Sequence, residues 1–512
     1  MASLQTLQQL SPLEALGLLA LSFLVLRAGR AALIWGEPWL RPLPPLVEVP
    51  LTDAEALDQL PHAQKYSFVR LLCPHVSRFD PLLLEKADQR SVFFWDPATL
   101  DYLGECPAMS AEEVQAAVDR ARAAQAVWRR SSFSTRRLLM RTMLRYITTH
   151  QETCARVAVR ESGKTRLCTV LGEIMVTCEK LAWLADEGEQ YLRPEPRKSG
   201  RMMLMKRVRV EYVPLGVIGA IVPWNYPLHN VFNPLSAALF SGNAIVLKVS
   251  EHASWSSQFY KRVVDACLDA VGAPRDLVQI VVGYGATGSA LVTSGVDKVI
   301  FVGSPQVGAI VARTAAASLT PVVLELGGKD PFVVCDDADV AGIVQTACRG
   351  VWQNMGQNCA GPERFFVYEK VYEEFIDRVV RVVKQMRTGA PLSEARIDCG
   401  AITMGPKQLL AYQRLVDDAV AKGARLLAGG YIPSKVKVTD ENREEVERMR
   451  QGSFYPPTVL ADVPEVLCLD PLEDDSLTSV GRDHRQGGDL RPDHVHIQGE
   501  RQQRRGGRAH GQ

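Results

Sequence analysis

The chain has 512 residues, 46% of them hydrophobic and 23% charged, with a formal net charge of +1. That is length enough for two or three domains and a large core, and the composition is that of a folded globular chain. A near-zero charge excludes a chain built globally for nucleic acid. The eleven cysteines are scattered, odd in number and without any C-x-x-C pair. This argues against a zinc site, a thioredoxin-like site or a disulfide framework, and for reduced thiols facing the cytosol.

Leu16 to Leu26 is unbroken by any charge, and Leu10 to Leu26 carries only Glu14. A bilayer span needs about 20 apolar residues, so this stretch just reaches across. No basic residue precedes it, unlike a cleaved signal peptide, whereas Arg27 and Arg30 follow it. The positive-inside rule then puts the rest of the chain on the cytosolic side. Residues 1–36 are therefore expected to be a membrane anchor, with the endoplasmic reticulum the expected membrane. A buried or amphipathic core helix is the competing reading. Pro42, Pro44 and Pro45 open an extended linker, and residues 37–90 read as linker and polar lead-in.

Helices are expected at 110–124, 134–149, 152–161 and 171–192. Ser110 and Glu113 form a capping-box pattern at the first. Lys206 to Val213 alternates polar and apolar residues and predicts an amphipathic strand. Short apolar strands follow at 217–222, 244–248, 278–282, 298–302, 322–325 and 331–334, with helices between them. Buried strands alternating with helices predict an α/β fold with a parallel sheet.

Chemistry concentrates in two segments. Asn354-Met355-Gly356-Gln357-Asn358-Cys359 places one cysteine among turn formers, with Arg364 beyond it. Leu324-Glu325-Leu326-Gly327-Gly328-Lys329 places a carboxylate at a strand end, with Glu325 lying 34 positions before Cys359. A lone cysteine is usually a small buried hydrophobe, and a lone glutamate an ion-pair partner. Together they form a candidate nucleophile and base. Asn225, in Pro223-Trp224-Asn225-Tyr226-Pro227, is either a turn residue or a carboxamide donor to an oxyanion.

These motifs resemble the aldehyde dehydrogenase superfamily over roughly residues 90 to 463. The resemblance implies a Rossmann-like cofactor domain at 91–325, with an oligomerisation strand region at 201–213, and an α/β catalytic domain at 326–463. It implies Cys359 as nucleophile, Glu325 as base and Asn225 as oxyanion donor. An aldehyde is then oxidised to a carboxylate through a cysteine thiohemiacetal and thioester, with hydride leaving to NAD. For the cofactor it implies Lys248 and Glu251 at the adenosine ribose and Gly303, Ser304 and Gly308 at the pyrophosphate. Trp224 and Gly285 complete the cofactor set. A glutamate at position 251 favours NAD over NADP by repelling a 2′-phosphate. Val249 stands where the family usually has Pro, and Val302 where it usually has Thr. No metal is implied.

The resemblance then stops. No Glu-Glu-x-Phe-Gly-Pro segment follows Leu460, so the family's glutamate for the nicotinamide ribose has no counterpart. From Gly481 to Gln512 there are seven Arg, seven Gly and four His, and only Leu490, Val495, Ile497 and Ala509 are apolar. Residues 464–512 are expected to be a disordered, out-of-family tail. An incomplete catalytic domain implies impaired homo-oligomers and an open sheet edge near 201–213. Three readings stay open: a membrane-anchored dehydrogenase acting on an aldehyde, a catalytically inactive truncated product, and a residual thiol esterase.

Overall fold

The computed structural model describes residues 44–52, 55, 89–393, 396–464 and 495–500. The proposed anchor at 16–26 lies outside these residues. Among the described residues, no helix is long and apolar enough to cross a membrane.

An antiparallel pair, β1 (Ser91–Trp95) and β2 (Tyr102–Pro107), precedes the helices. β1 begins where the lead-in expected at 37–90 ends: Val92 and Phe94 are buried, as strand alternation in Val92-Phe93-Phe94-Trp95 requires. Upstream, Glu55 is also buried, held by Arg262 at 2.5 and 2.6 Å. Then come α1 (Ala111–Trp128), α2 (Phe133–Thr149) and α3 (Gln151–Ser162). Ser110 and Glu113 close the capping box at the start of α1. Gly163, at φ +72°, ends α3, and a Cβ there would stand 2.7 Å from Ala401.

The helix expected at 171–192 is interrupted. A short α4 (Arg166–Thr169) passes through a π-helical turn, Val170–Met175, into α5 (Val176–Asp186), and a 3₁₀ turn covers Gly188–Leu192. The strand expected at 206–213 is also shorter. Only Val208–Val210 (β4) pairs, because its partner β3 (Glu195–Arg197) is just three residues long. The outer edge of this ribbon carries no strand among the described residues.

The first large sheet is formed by β5 (Val217–Val222), α6 (Pro227–Phe240), β6 (Ala244–Val249), α7 (Ser254–Ala270), β7 (Val278–Val281), α8 (Gly285–Thr293), β8 (Lys298–Gly303), α9 (Pro305–Ala316) and β9 (Val322–Leu326). All its strands are parallel, in the order β7-β6-β5-β8-β9. β6 is buried at every position, which is why its first four residues, Ala244 to Leu247, read as an unbroken apolar run. The order reverses direction at β5, so a crevice opens at the carboxyl ends of β5 and β8.

The chain crosses to a second sheet through Gly327, Gly328 and Lys329. This sheet uses β10 (Asp330–Val334), α10 (Val340–Trp352), β11 (Pro362–Tyr368), α11 (Glu369–Val383), α12 (Pro406–Ala421), β12 (Arg425–Ala428), α13 (Arg443–Met449), β13 (Val459–Ala461) and β14 (Val495–Glu500), in the order β10-β11-β14-β13-β12.

β14 corrects the expectation of a wholly disordered tail. Residues 495–500 run parallel to both β11 and β13 and bridge them. Main-chain hydrogen bonds make no demand on an apolar core, and Val495 and Ile497 stand at strand spacing within a polar sequence. Without β14, the facing edges of β11 and β13 would be left open. A chain ending at Val463 is therefore expected to melt at lower temperature and to aggregate on concentration, followed by calorimetry and light scattering. Melting and solubility equal to the full chain would show that β14 contributes nothing.

Candidate active site

Parallel strands bring their carboxyl ends to one side of a sheet. Asn225 follows β5, Lys248 and Glu251 lie at the end of β6, Gly285 follows β7, Gly303 and Ser304 close β8, and Glu325 is the penultimate residue of β9. Residues far apart in sequence thus share one sheet edge.

The two motif segments meet in the second sheet. β10 continues from the glutamate segment and pairs in parallel with β11, which follows Cys359, with Pro331 opposite Arg364. Arg364 Nε donates to the Lys329 carbonyl at 2.8 Å, and Lys329 forms an ion pair with Glu363. Cys359 is half-buried. Burial pushes its thiol up from 9.0, and the carboxylates of Glu325 and Asp330 add to the rise. The amides of Cys359 and Ala360 act in the opposite direction. Glu325 is exposed and within electrostatic reach of the sulfur.

The turn before Cys359 is left-handed at three successive residues: Asn354 at φ +53°, Met355 at +56° and Gly356 at +73°. Such backbone costs a non-glycine residue about 1–2 kcal/mol. A buried network holds it. Asn354 Nδ2 donates to the carbonyls of Asn225 and Gln357, both at 3.0 Å. Gln357 Nε2 donates to the carbonyls of Asn354 and Ala401, and its Oε1 accepts from the Thr403 amide at 2.9 Å.

Asn225 is 4% exposed. Its Nδ2 donates to the Gln357 carbonyl at 3.2 Å, and its Oδ1 accepts from Asn230 Nδ2 at 3.2 Å. The amide is therefore oriented, and one N–H is left for another acceptor.

Two residues not singled out from the sequence complete the centre. Lys164, fully buried, donates from Nζ to Glu173 Oε1 at 2.7 Å and to the Asn225 carbonyl at 2.5 Å. Its ammonium also lies 4.1 Å from the centroid of the Tyr226 ring. Burial pulls the Lys164 ammonium down, and Glu173 offsets part of that pull. Glu173 projects from the π-helical turn and also accepts from the amides of Leu228 and His229, at the start of α6. Gly163 ends α3 one residue before Lys164. Nothing in the periodicity showed that the next residue turns inward. The amide of Asn354 also approaches Cys168 Sγ at 3.3 Å.

On the other side of the crevice, Lys248 Nζ lies 3.5 Å from Glu251 Oε2. Burial lowers the Lys248 ammonium. Burial alone would raise Glu251, but His252, Lys248, its own amide and Ser250 together leave it below the usual carboxylate range. Ser304 caps α9, its hydroxyl accepting from the Val307 amide, and the Gly308 amide donates to the Ser304 carbonyl. A Cβ on Gly285 would meet nothing within 4 Å, whereas one on Gly303 or Gly308 would strike Phe301 or Leu326 at 2.7 Å. Gly285 therefore faces open space, and the other two serve close packing. Trp224 is half-buried beside Asn225.

The family model described as the aldehyde dehydrogenase family matches residues 84–468. The chain belongs to that family. An aldehyde dehydrogenase-like protein of Saccharomyces cerevisiae is 39% identical over 72% of the chain and 58% of its own length, so the chain spans less than two thirds of that relative. The succinate-semialdehyde dehydrogenase [NADP(+)] GabD of Escherichia coli is 31% identical over 72% of each chain. The solved succinate-semialdehyde dehydrogenase of Burkholderia pseudomallei aligns with a TM-score of 0.65 at 29% identity, covering 73% of each chain.

The residues at the aldehyde dehydrogenase crevice fit a nicotinamide dinucleotide. The fit rests on the strand order that reverses at β5, the Lys248–Glu251 pair at a strand end, the open space at Gly285 and the capped start of α9.

Two outcomes test this centre. Lys164→Met leaves Glu173 buried without its cation and is expected to cost about 3–5 kcal/mol in denaturant unfolding. A loss near zero would mean that the pair is dispensable. Glu161 is buried, caps α7 through the Trp255 and Ser256 amides, and has its carboxyl pushed by burial to about 7. Its folded value lies above its unfolded value, so its stabilising contribution is full at low pH. That contribution is lost as pH rises from about 4.5 to about 7, by about 3 kcal/mol. In Glu161→Gln this part of the stability–pH slope should vanish. An unchanged slope would assign it to other groups.

Proposed function

We propose that this chain oxidises an aldehyde to a carboxylate, with Cys359 as nucleophile, Glu325 as base and Asn225 as oxyanion donor. The observation that carries the reading is that Asn225 bonds the peptide two residues before Cys359, whose thiol is raised first by burial and then by the nearby Glu325 charge. A thiol raised by burial favours its neutral form, so it needs a base to attack a carbonyl. Glu325 takes that proton, and the new C–S bond gives a thiohemiacetal. The free N–H of Asn225 and the Cys359 amide donate to its oxygen. A bound nicotinamide supplies the hydride acceptor. On the protein, a thioester to Cys359 remains. Glu325, once it has released the thiol's proton to solvent, deprotonates the attacking water; the C–S bond then breaks to give the carboxylic acid, and the proton held by Glu325 returns to the Cys359 sulfur.

Lys248 and Glu251 would hold the adenosine ribose, with Trp224 and Gly285 beside it. Ser304 and the start of α9, packed through Gly303 and Gly308, would face the pyrophosphate. A deprotonated Glu251 repels a 2′-phosphate, so NAD is the proposed cofactor, although relatives from Escherichia coli and Sinorhizobium fredii are named for NADP. Residues 16–26 are proposed as a membrane anchor, of the endoplasmic reticulum, with the catalytic part facing the cytosol. That reading rests on the apolar run and on Arg27 and Arg30 after it.

The test is NADH formation from an aldehyde panel. Cys359→Ala should abolish it, and Glu325→Gln should lower kcat by about 10²–10⁴. Hydrolysis of activated esters without any NADH would favour the thiol-esterase reading. Folded protein active toward neither would favour an inactive product. Glu251→Gln should shift the NAD-over-NADP preference toward NADP by about tenfold. An unchanged ratio would remove Glu251 from cofactor choice.

A further inference from the structure

We propose that Tyr226 and Gln353 select the aldehyde, and that the substrate class is an uncharged aldehyde with a hydroxyl near its carbonyl carbon. The inference rests on the reading of Cys359 as the group that adds to the aldehyde.

Placement is the first observation. Tyr226 follows Asn225 and Gln353 precedes Asn354. Asn354 Nδ2 donates to the Asn225 carbonyl at 3.0 Å, which sets the two neighbours side by side. Gln353 Nε2 then donates to the Tyr226 hydroxyl at 3.4 Å, at the turn that leads to Cys359. Tyr226 is buried and Gln353 half-buried. Burial pushes the Tyr226 phenol up, and the charges of Cys168, Glu173 and Cys359 add to the rise. The phenol is thus a neutral donor within electrostatic reach of the reacting sulfur.

Unused hydrogen-bonding capacity is the second. The Tyr226 hydroxyl accepts from Gln353, and among the described residues its own proton meets no acceptor. The side-chain oxygen of Gln353 likewise accepts from no donor among them. One donor and one acceptor therefore stand next to each other. A single alcohol satisfies both, its oxygen accepting from Tyr226 and its proton going to Gln353 Oε1. An alkyl chain would satisfy neither and would leave a buried phenol unpaired, which is the strongest way for a site to reject a substrate lacking a hydroxyl.

Fixed position and charge are the third. Gly172, on the π-helical turn, lets that turn approach the ring: a Cβ there would stand 2.6 Å from the Tyr226 ring and 3.5 Å from Gln353 Nε2. The Lys164 ammonium lies over the ring face at 4.1 Å from its centroid. The ring is thereby held on its face and along one edge, with its hydroxyl beside Gln353. A carboxylate tail does not suit the pair, because it has no proton for Gln353 Oε1. The cation in contact with the ring cannot serve such a tail either, since Lys164 already donates to Glu173 and to the Asn225 carbonyl. An ammonium tail would give Gln353 a proton but would leave the Tyr226 proton without an acceptor.

The experiment compares matched aldehydes on the full chain: glycolaldehyde with acetaldehyde, glyceraldehyde with propionaldehyde, and succinic semialdehyde with butyraldehyde. Concentrations are expressed as unhydrated aldehyde. Two readouts are taken, kcat/KM for NADH formation and, without cofactor, protection of Cys359 from iodoacetamide. The expected result is a preference of about tenfold or more for each hydroxyaldehyde over its alkyl match, and none for the semialdehyde. Tyr226→Phe and Gln353→Leu, made separately, should each reduce that preference about tenfold. The preference is a ratio, so the fraction of folded protein cancels. Protection with the same preference but no NADH would support selection by this pair and overturn the oxidation. NADH formed equally from both members of each pair would overturn the selection and leave the oxidation standing. A preference for the semialdehyde, or a hydroxyl preference unchanged in both variants, would also overturn the selection. Neither NADH nor protection with any aldehyde would overturn both.

Discussion

Everything at the centre depends on one buried hydrogen-bond hub, the peptide and side chain of Asn225. Its carbonyl accepts from Lys164 and from Asn354, and its carboxamide bonds Gln357 and Asn230. The hub lies between the carboxyl end of β5 and the left-handed turn at 354–356. That turn is costly backbone, at about 1–2 kcal/mol for each non-glycine residue. Each hydrogen bond returns about 1 kcal/mol net, so several are needed to hold the strain. The network around Asn354 and Gln357 supplies them, and Cys359 is set at the end of a turn with little freedom to move.

The same hub explains the buried ion pair. Lys164 cannot be satisfied by Glu173 alone, and the Asn225 carbonyl and the Tyr226 ring complete its surroundings. Glu173 in turn occupies the positive start of α6, where its carboxylate meets two free amides. The π-helical turn that carries Glu173 is the local distortion that brings it there. The cofactor sheet and the cysteine loop are thereby coupled through charges that neither could bury alone. Gly327, Gly328 and Lys329 make the covalent crossing between the sheets, and Arg364 fastens that crossing to the strand after Cys359.

The strands β5, β6 and β7 of the first sheet were legible because they are buried on both faces and bounded by helices, so hydrophobicity alone marks them. The capping box at Ser110 was legible because it is local. Cys359, Glu325 and Asn225 stood out through motif context. A parallel sheet that presents its carboxyl ends on one side places Asn225 and Glu325 together, whereas Cys359 comes from the loop before β11 of the second sheet. Lys164 and Glu173 were invisible because no periodicity tells which polar residue turns inward at a helix break. The 171–192 segment keeps helical spacing through its π turn, so the distortion left no mark. The 206–213 pattern over-extended the strand because pairing length is set by the partner, here the three residues Glu195–Arg197. Val495–Glu500 was missed for the reverse reason: its place between β11 and β13 is given by main-chain pairing, to which composition is blind.

The most direct measurement is the pH midpoint for alkylation of Cys359, in the full chain and in Glu325→Gln. If the left-handed turn holds the thiol in the field of Glu325, the wild-type midpoint lies above that of an ordinary thiol and removal of that charge lowers it. A midpoint identical in both proteins would contradict the account, because it would show that the two residues do not share a site.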